Sequence, residues 1–127
     1  MEAKIEVGPG RQKLVSLACD EPCAIERGMR ILGGKWTGSI LWHLKDRPVR
    51  FNDLARMIAG ASKKMIADRL RQLEARGLVE RRVLATMPVA VEYAITPFGT
   101  TALDGLDALR RWSEALPEGV AGSVADE

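Results

Sequence analysis

The sequence predicts a mainly α (α+β) domain: a helix-turn-helix, a β-hairpin wing directly after its second helix, and a long C-terminal helix. Three observations predict it. Within 61–82, Ile66, Leu70, Leu73 and Gly77 fall on one arc at helical spacing, with Ser62 placed to cap the start and Gly77 to close the end in a left-handed conformation. Two β-rich runs, 78–84 and 89–95, follow at once and are separated by Ala85-Thr86-Met87-Pro88, which reads as a hairpin turn. Phe98, Leu103, Leu106, Leu109, Trp112 and Leu116 then form an apolar stripe that stops before Pro117.

The totals bound what the chain can be. Its 127 residues suit one domain with a modest core, and 46% hydrophobic with 28% charged residues is globular. No apolar run approaches the ~20 residues that cross a bilayer, and Met1 to Cys19 lacks a signal-peptide core, so a cytoplasmic protein with no membrane partner is expected. Cys19 and Cys23 cannot build a disulfide framework, and with the lone His43 they make no zinc spacing; no metal and no cofactor are expected. His43 reads as a partly buried helix residue. Paired carboxylates, a nucleophile with its base and a phosphate loop are all lacking at usable spacing, which argues against an enzyme.

In chain order, residues 1–22 form an arm interrupted by Gly8, Pro9 and Gly10, with a short helix possible over 12–18 and partial disorder at the extreme end. Ile25, Met29 and Leu32 recur at helical spacing over 23–32. Gly33-Gly34 breaks that helix, and 35–44 resumes with Trp36, Ile40, Leu41 and Leu44 on one side. Arg47-Pro48 ends it; 49–51 is a short extended piece, and Asn52 is expected to cap a helix over 53–58. Ala59-Gly60-Ala61 then turns into the capped basic helix. After the hairpin, Thr96 caps one helix over 97–116 with Pro97 in its first position. Residues 117–127 read as a disordered acidic tail.

A net charge of +2 does not by itself point to nucleic acid, so the distribution must. From Lys63 to Arg82 there are seven basic residues (Lys63, Lys64, Arg69, Arg71, Arg76, Arg81, Arg82) against three acidic ones (Asp68, Glu74, Glu80), an excess of four. The outer arc carries Lys64, Met65, Asp68, Arg69, Arg71 and Gln72. A helix apolar inside, basic outside and capped at the end that enters a groove is what a DNA recognition helix requires. Ser62 and Lys63 sit at the helix start, where free amides favour a phosphate. Lys64, Arg69 and Gln72 are candidates for base edges, and Arg71 adds charge. Asp68 is awkward beside phosphate and is expected to accept from a cytosine amine or to orient Arg69. Arg81 and Arg82 alternate along a strand, so one of them points at DNA. Arg76 and Glu74 read as solvation.

Six strings in this order resemble the HxlR family of bacterial winged helix-turn-helix regulators: 23–26 CAIE, 33–37 GGKWT, 50–54 RFNDL, 62–70 SKKMIADRL, 73–79 LEARGLV and 91–99 VEYAITPFG. They begin at Cys23, and the resemblance runs in family order to about Leu116, about three-quarters of the chain. The arm before Cys19 is longer than the family pattern, and nothing carries over to it. The resemblance implies a homodimer joined through the outer helices, controlling transcription from a palindromic operator on double-stranded DNA, more usually as a repressor. Dimer-interface candidates are Ile25, Met29, Leu103, Leu106, Leu109, Trp112 and Leu116, and a two-fold contact would set two recognition helices about 34 Å apart. In the matching family position a cysteine often serves as a switch for oxidants or electrophiles, which makes Cys23 the sensor candidate with Cys19 beside it; helix amides favour its thiolate. The alternatives are a regulator switched by a non-covalent aromatic effector in a pocket lined by Trp36, Phe98 and Trp112, or a winged-helix protein-interaction module without operator binding.

Overall fold

The computed structural model describes residues 23–123, in two compact units that divide after Gly34. In the first, α1 (Ala24–Leu32) starts from Cys23, whose carbonyl accepts from the Arg27 amide at 2.9 Å. It ends at Gly33, where a Cβ would come within 2.4 Å of the Met29 carbonyl oxygen. The apolar side chains Ile25 and Met29 are exposed, 73% and 54%. The arm over 1–22, with its short helix, lies outside the described residues.

In the second unit, α2 (Thr37–His43) begins from Trp36, a non-glycine residue held at φ +75°. Chain then runs through β1 (Val49–Arg50) directly into α3 (Phe51–Met57). Arg50 therefore occupies the cap position, and Asn52, expected to cap, lies inside the first turn. The reason is the strand: Val49 and Arg50 pair with Tyr93 and Glu92, which keeps Arg50 extended until the helix starts.

Gly60, at φ +95°, turns the chain into α4 (Lys63–Ala75). Both expected end signals are in place. The Ser62 hydroxyl accepts from the Met65 amide at 3.1 Å. At the other end Gly77 stands at φ +82°, its amide donating to Glu74 and the Leu78 amide to Leu73, which together form a Schellman close. Ile66, Leu70 and Leu73 have no exposed surface.

The hairpin of β2 (Val79–Leu84) and β3 (Ala90–Ile95) completes a three-stranded antiparallel sheet of order β1-β3-β2. Thr96 ties its base to the close of α4: its hydroxyl donates to the Gly77 carbonyl and accepts from the Gly99 amide, and its own amide donates to the Leu78 carbonyl. Ile40, Leu41, Leu44, Val49, Leu54 and Ile58 join the α4 residues, Leu78 and Val79 in the core. Burying one such aliphatic side chain stabilises the fold by about 1.5–3 kcal/mol.

The C-terminal region differs from expectation. One helix over 97–116 is in fact two, α5 (Pro97–Thr100) and α6 (Leu103–Glu114). Between them the Thr101 and Ala102 amides bond three residues back, to Phe98 and Gly99, while the Thr100 and Thr101 hydroxyls donate to Pro97 and Phe98. Those hydroxyls compete for carbonyls that a continuous helix would use. Part of the expected tail is also ordered: Glu118–Ser123 forms α7, its Val120 amide donating to the Pro117 carbonyl. Apolar side chains of α6 stay outside the core, with Leu109 53% and Trp112 64% exposed.

Candidate nucleic-acid interface

Helix α4 presents the surface on which the sequence placed most of its candidates. Ser62, Lys63, Lys64, Arg71 and Gln72 are exposed, whereas Asp68 and Arg69 are half-buried. Asp68 does not orient Arg69. It holds Lys64 at 3.4 Å, one turn back, and Arg71, three residues on. As exposed pairs these contribute about 0.2–1 kcal/mol each, so their main effect is to fix where the two cations point.

Arg69 is turned away from that pair. Its Nε–H donates to the Lys35 carbonyl at 2.9 Å, a contact across 34 residues of sequence. The next residue, Trp36, lays its ring edge against the turn: a Cβ on Gly60 would stand 3.3 Å from Trp36 Cη2. The helical wheel places Arg69 outside but carries no information about a carbonyl that far upstream.

On the wing the two arginines separate as alternation requires. Arg82 pairs with Glu80, its Nε at 2.8 Å, and lies 3.5 Å from Glu92 opposite. The Glu80 hydrogen bond foremost holds the Arg82 guanidinium above its ordinary pKa. Arg81 instead lines a cleft of about 660 Å³ with Arg50 and Arg56, between the start of α3 and the wing. Arg56 is paired there with Asp53. Sequence reading missed Arg50 and Arg56 because it looked for charge only from Lys63 onward. The wing tip itself is apolar, with Met87 96% exposed.

Candidate sensor and effector residues are placed as follows. Cys23 is half-buried at the start of α1, and Cys19 lies outside the described residues. The expected pocket of Trp36, Phe98 and Trp112 does not assemble. Trp36 sits against Gly60 before α4, Phe98 approaches Gly77 after it, and the intervening 13-residue helix is about 20 Å long. Trp42, which the sequence reading passed over, lines a cleft of about 300 Å³ with Gly38, Leu106, Leu109 and Arg110. Lys45 Nζ lies 4.6 Å and the Arg110 guanidinium 5.8 Å from its ring centroid. His43 is exposed, contrary to expectation, with Nδ1 2.7 Å from the Ser39 carbonyl oxygen.

Known proteins share this arrangement. Residues 31–119 match the model of the HxlR-like helix-turn-helix family. The HTH-type transcriptional regulator YybR of Bacillus subtilis (strain 168) is 36% identical over 95 residues, 75% of this chain and 76% of the relative. Among solved structures, the redox regulator HypR in its oxidized form gives a TM-score of 0.71 at 34% identity, covering 76% of this chain and 99% of that one. The reduced form of the transcriptional regulator YodB from B. subtilis gives 0.65 at 36% identity, covering 75% and 93%. With a capped basic helix, a hairpin wing and a family match that spans both, this chain belongs to the HxlR-like helix-turn-helix family of transcriptional regulators.

Proposed function

We propose that the chain acts as a homodimeric repressor on a palindromic operator, with α4 in the major groove and Cys23 as a switch for oxidants or electrophiles. The observation that carries this reading is the outer face of α4, where Lys63, Lys64, Arg71 and Gln72 stand exposed on a helix capped at both ends. Lys63 and the Ser62 end meet phosphate, where helix amides assist; Lys64, Arg71 and Gln72 reach base edges, and Asp68 aims the first two or accepts from a cytosine amine. Arg81, with Arg50 and Arg56 in its cleft, faces a backbone phosphate, while Arg82 is occupied by Glu80.

Exposed Ile25 and Met29 on α1, and separately exposed Leu109 and Trp112 on α6, a helix that also carries Leu103 and Leu106 and is followed by Leu116, support an isologous dimer face. For the switch, support comes from Cys23 at a helix start and from HypR, a redox regulator. A second reading, an aromatic effector, is favoured by the cleft at Trp42, whose ring has the cations of Lys45 and Arg110 near it. A protein-interaction module without operator binding remains the alternative from another class.

Gel shift on DNA from the chain's own upstream region tests all of these, using reduced and diamide-treated protein beside Cys23→Ser. Salt-sensitive, specific binding that treatment alters only when Cys23 is present is the expected result. Specific binding indifferent to treatment removes the cysteine switch and turns attention to Trp42. Absence of specific binding favours the protein-interaction module.

A further inference from the structure

We infer that Arg69 is a positioning residue, which sets the angle of the recognition helix by gripping the Lys35 carbonyl, and that Trp36 is the other half of the grip. This inference rests on the DNA-binding reading of α4 and assigns Arg69 a role apart from base readout. The Arg69 Nε–H donates to Lys35 O at 2.9 Å from the middle of α4. One residue on, Trp36 is held at φ +75°, a conformation that a bulky residue keeps only where its surroundings impose it. Its ring edge packs on Gly60, itself at φ +95°, in the turn that leads into α4. Its carbonyl accepts from the Ile40 amide at 2.9 Å and so starts α2, whose Ile40 and Leu41 are wholly buried.

Two adjacent residues thus hold the recognition helix at two places, the turn before it and its midpoint, and root both contacts in the core. A helix held this way can present its bases-facing side chains at one angle only. Asp68 leaves Arg69 to this task, because it is engaged with Lys64 and Arg71 on the other side. The bond uses Nε, and a glutamine at this position carries its amide nitrogen the same number of bonds from Cα. Glutamine can therefore keep the grip while removing the charge and the guanidinium fork that a guanine or a phosphate would need.

Arg69→Gln and Arg69→Met are compared with wild type in two measurements. In the first, amide hydrogen exchange without DNA is followed over 35–40 and 59–66. Exchange speeds about tenfold in Arg69→Met, as loss of a charge-assisted hydrogen bond implies, and returns towards wild type in Arg69→Gln. In the second, affinity is measured for the operator, for its single-base variants and across salt. Arg69→Met loses about tenfold, spread over every contacted base position, and Arg69→Gln stays within about threefold of wild type. The inference is overturned if Arg69→Gln is as impaired as Arg69→Met, if specificity relaxes at one base position only, or if both variants lower the salt slope by about one. If wild type binds no operator, the DNA-binding reading fails by itself, and exchange decides the grip: unchanged rates in Arg69→Met refute it, and rates restored by glutamine sustain it.

Discussion

Replacing Gly77 by alanine tests how α4 is closed. Gly77 stands at φ +82°, and the amides of Gly77 and Leu78 satisfy the carbonyls of Glu74 and Leu73. A Cβ there meets only Phe98 Cδ2, at 3.9 Å, an ordinary contact. Steric overlap therefore contributes nothing, and the cost is that of holding an L-residue in the left-handed region, about 1–2 kcal/mol. With a urea m-value of roughly 1.5 kcal/mol/M for a domain of this size, the midpoint falls by about 1 M. Asparagine tolerates this conformation better than alanine, so Gly77→Asn should lose about half as much. Equilibrium urea unfolding of the three proteins at one protomer concentration reads the effect without interference from association. An unchanged midpoint in Gly77→Ala, or an asparagine variant less stable than the alanine one, would refute the Schellman close as the source of the cost.

Three further outcomes are expected. Leu70→Ala empties a site with no exposed surface and should cost about 2–5 kcal/mol, read as a lower midpoint of thermal unfolding by circular dichroism; an unchanged midpoint would refute it. Asp68→Asn releases Lys64 and Arg71 and removes one negative charge, so affinity for random duplex should rise roughly two- to fivefold by fluorescence anisotropy while preference for the operator falls; an undiminished preference would mean that Asp68 does not aim the two cations. Asp107 is held below the usual carboxylate range, first by its hydrogen bond from Arg110. A depressed carboxyl stabilises the fold above its unfolded pKa of about 4 and loses that contribution as pH falls through the lower folded value. Asp107→Asn should therefore be the less stable protein at pH 7, and the gap should close in acid; a gap that widens in acid would reverse the assigned sign.

Local signals made the centre of the fold legible. Ser62, Gly77, Thr96 and Pro97 act within one turn of themselves, and all four do in the structure what their chemistry dictates. What escaped depended on partners distant in sequence or on competition between equals. Asn52 is a good cap by type, yet strand pairing of Val49 and Arg50 with β3 moved the helix start ahead of it. An unbroken apolar stripe conceals the step between α5 and α6, because the stripe continues while two threonine hydroxyls capture carbonyls. The exposure of Lys64, Arg71 and Gln72 on α4 was readable from spacing; the engagement of Arg69 with Lys35 and the cleft joining Arg81 to Arg50 and Arg56 were not, since each joins separate elements.

Thr96 has a consequence beyond capping a short helix. Through its amide and its hydroxyl, one residue fastens Gly77, which closes α4, Leu78, which leads into β2, and Gly99 in the first turn of α5. The hairpin therefore resembles a spring clip riveted at its base and open at its tip. Length can be added or removed between Leu84 and Ala90 without loosening the rivet, because that stretch lies in the turn beyond the paired strands. On the proposed DNA-binding reading, reach along a duplex and grip on the groove can then change independently of one another, one by lengthening the tip and the other by altering the face of α4.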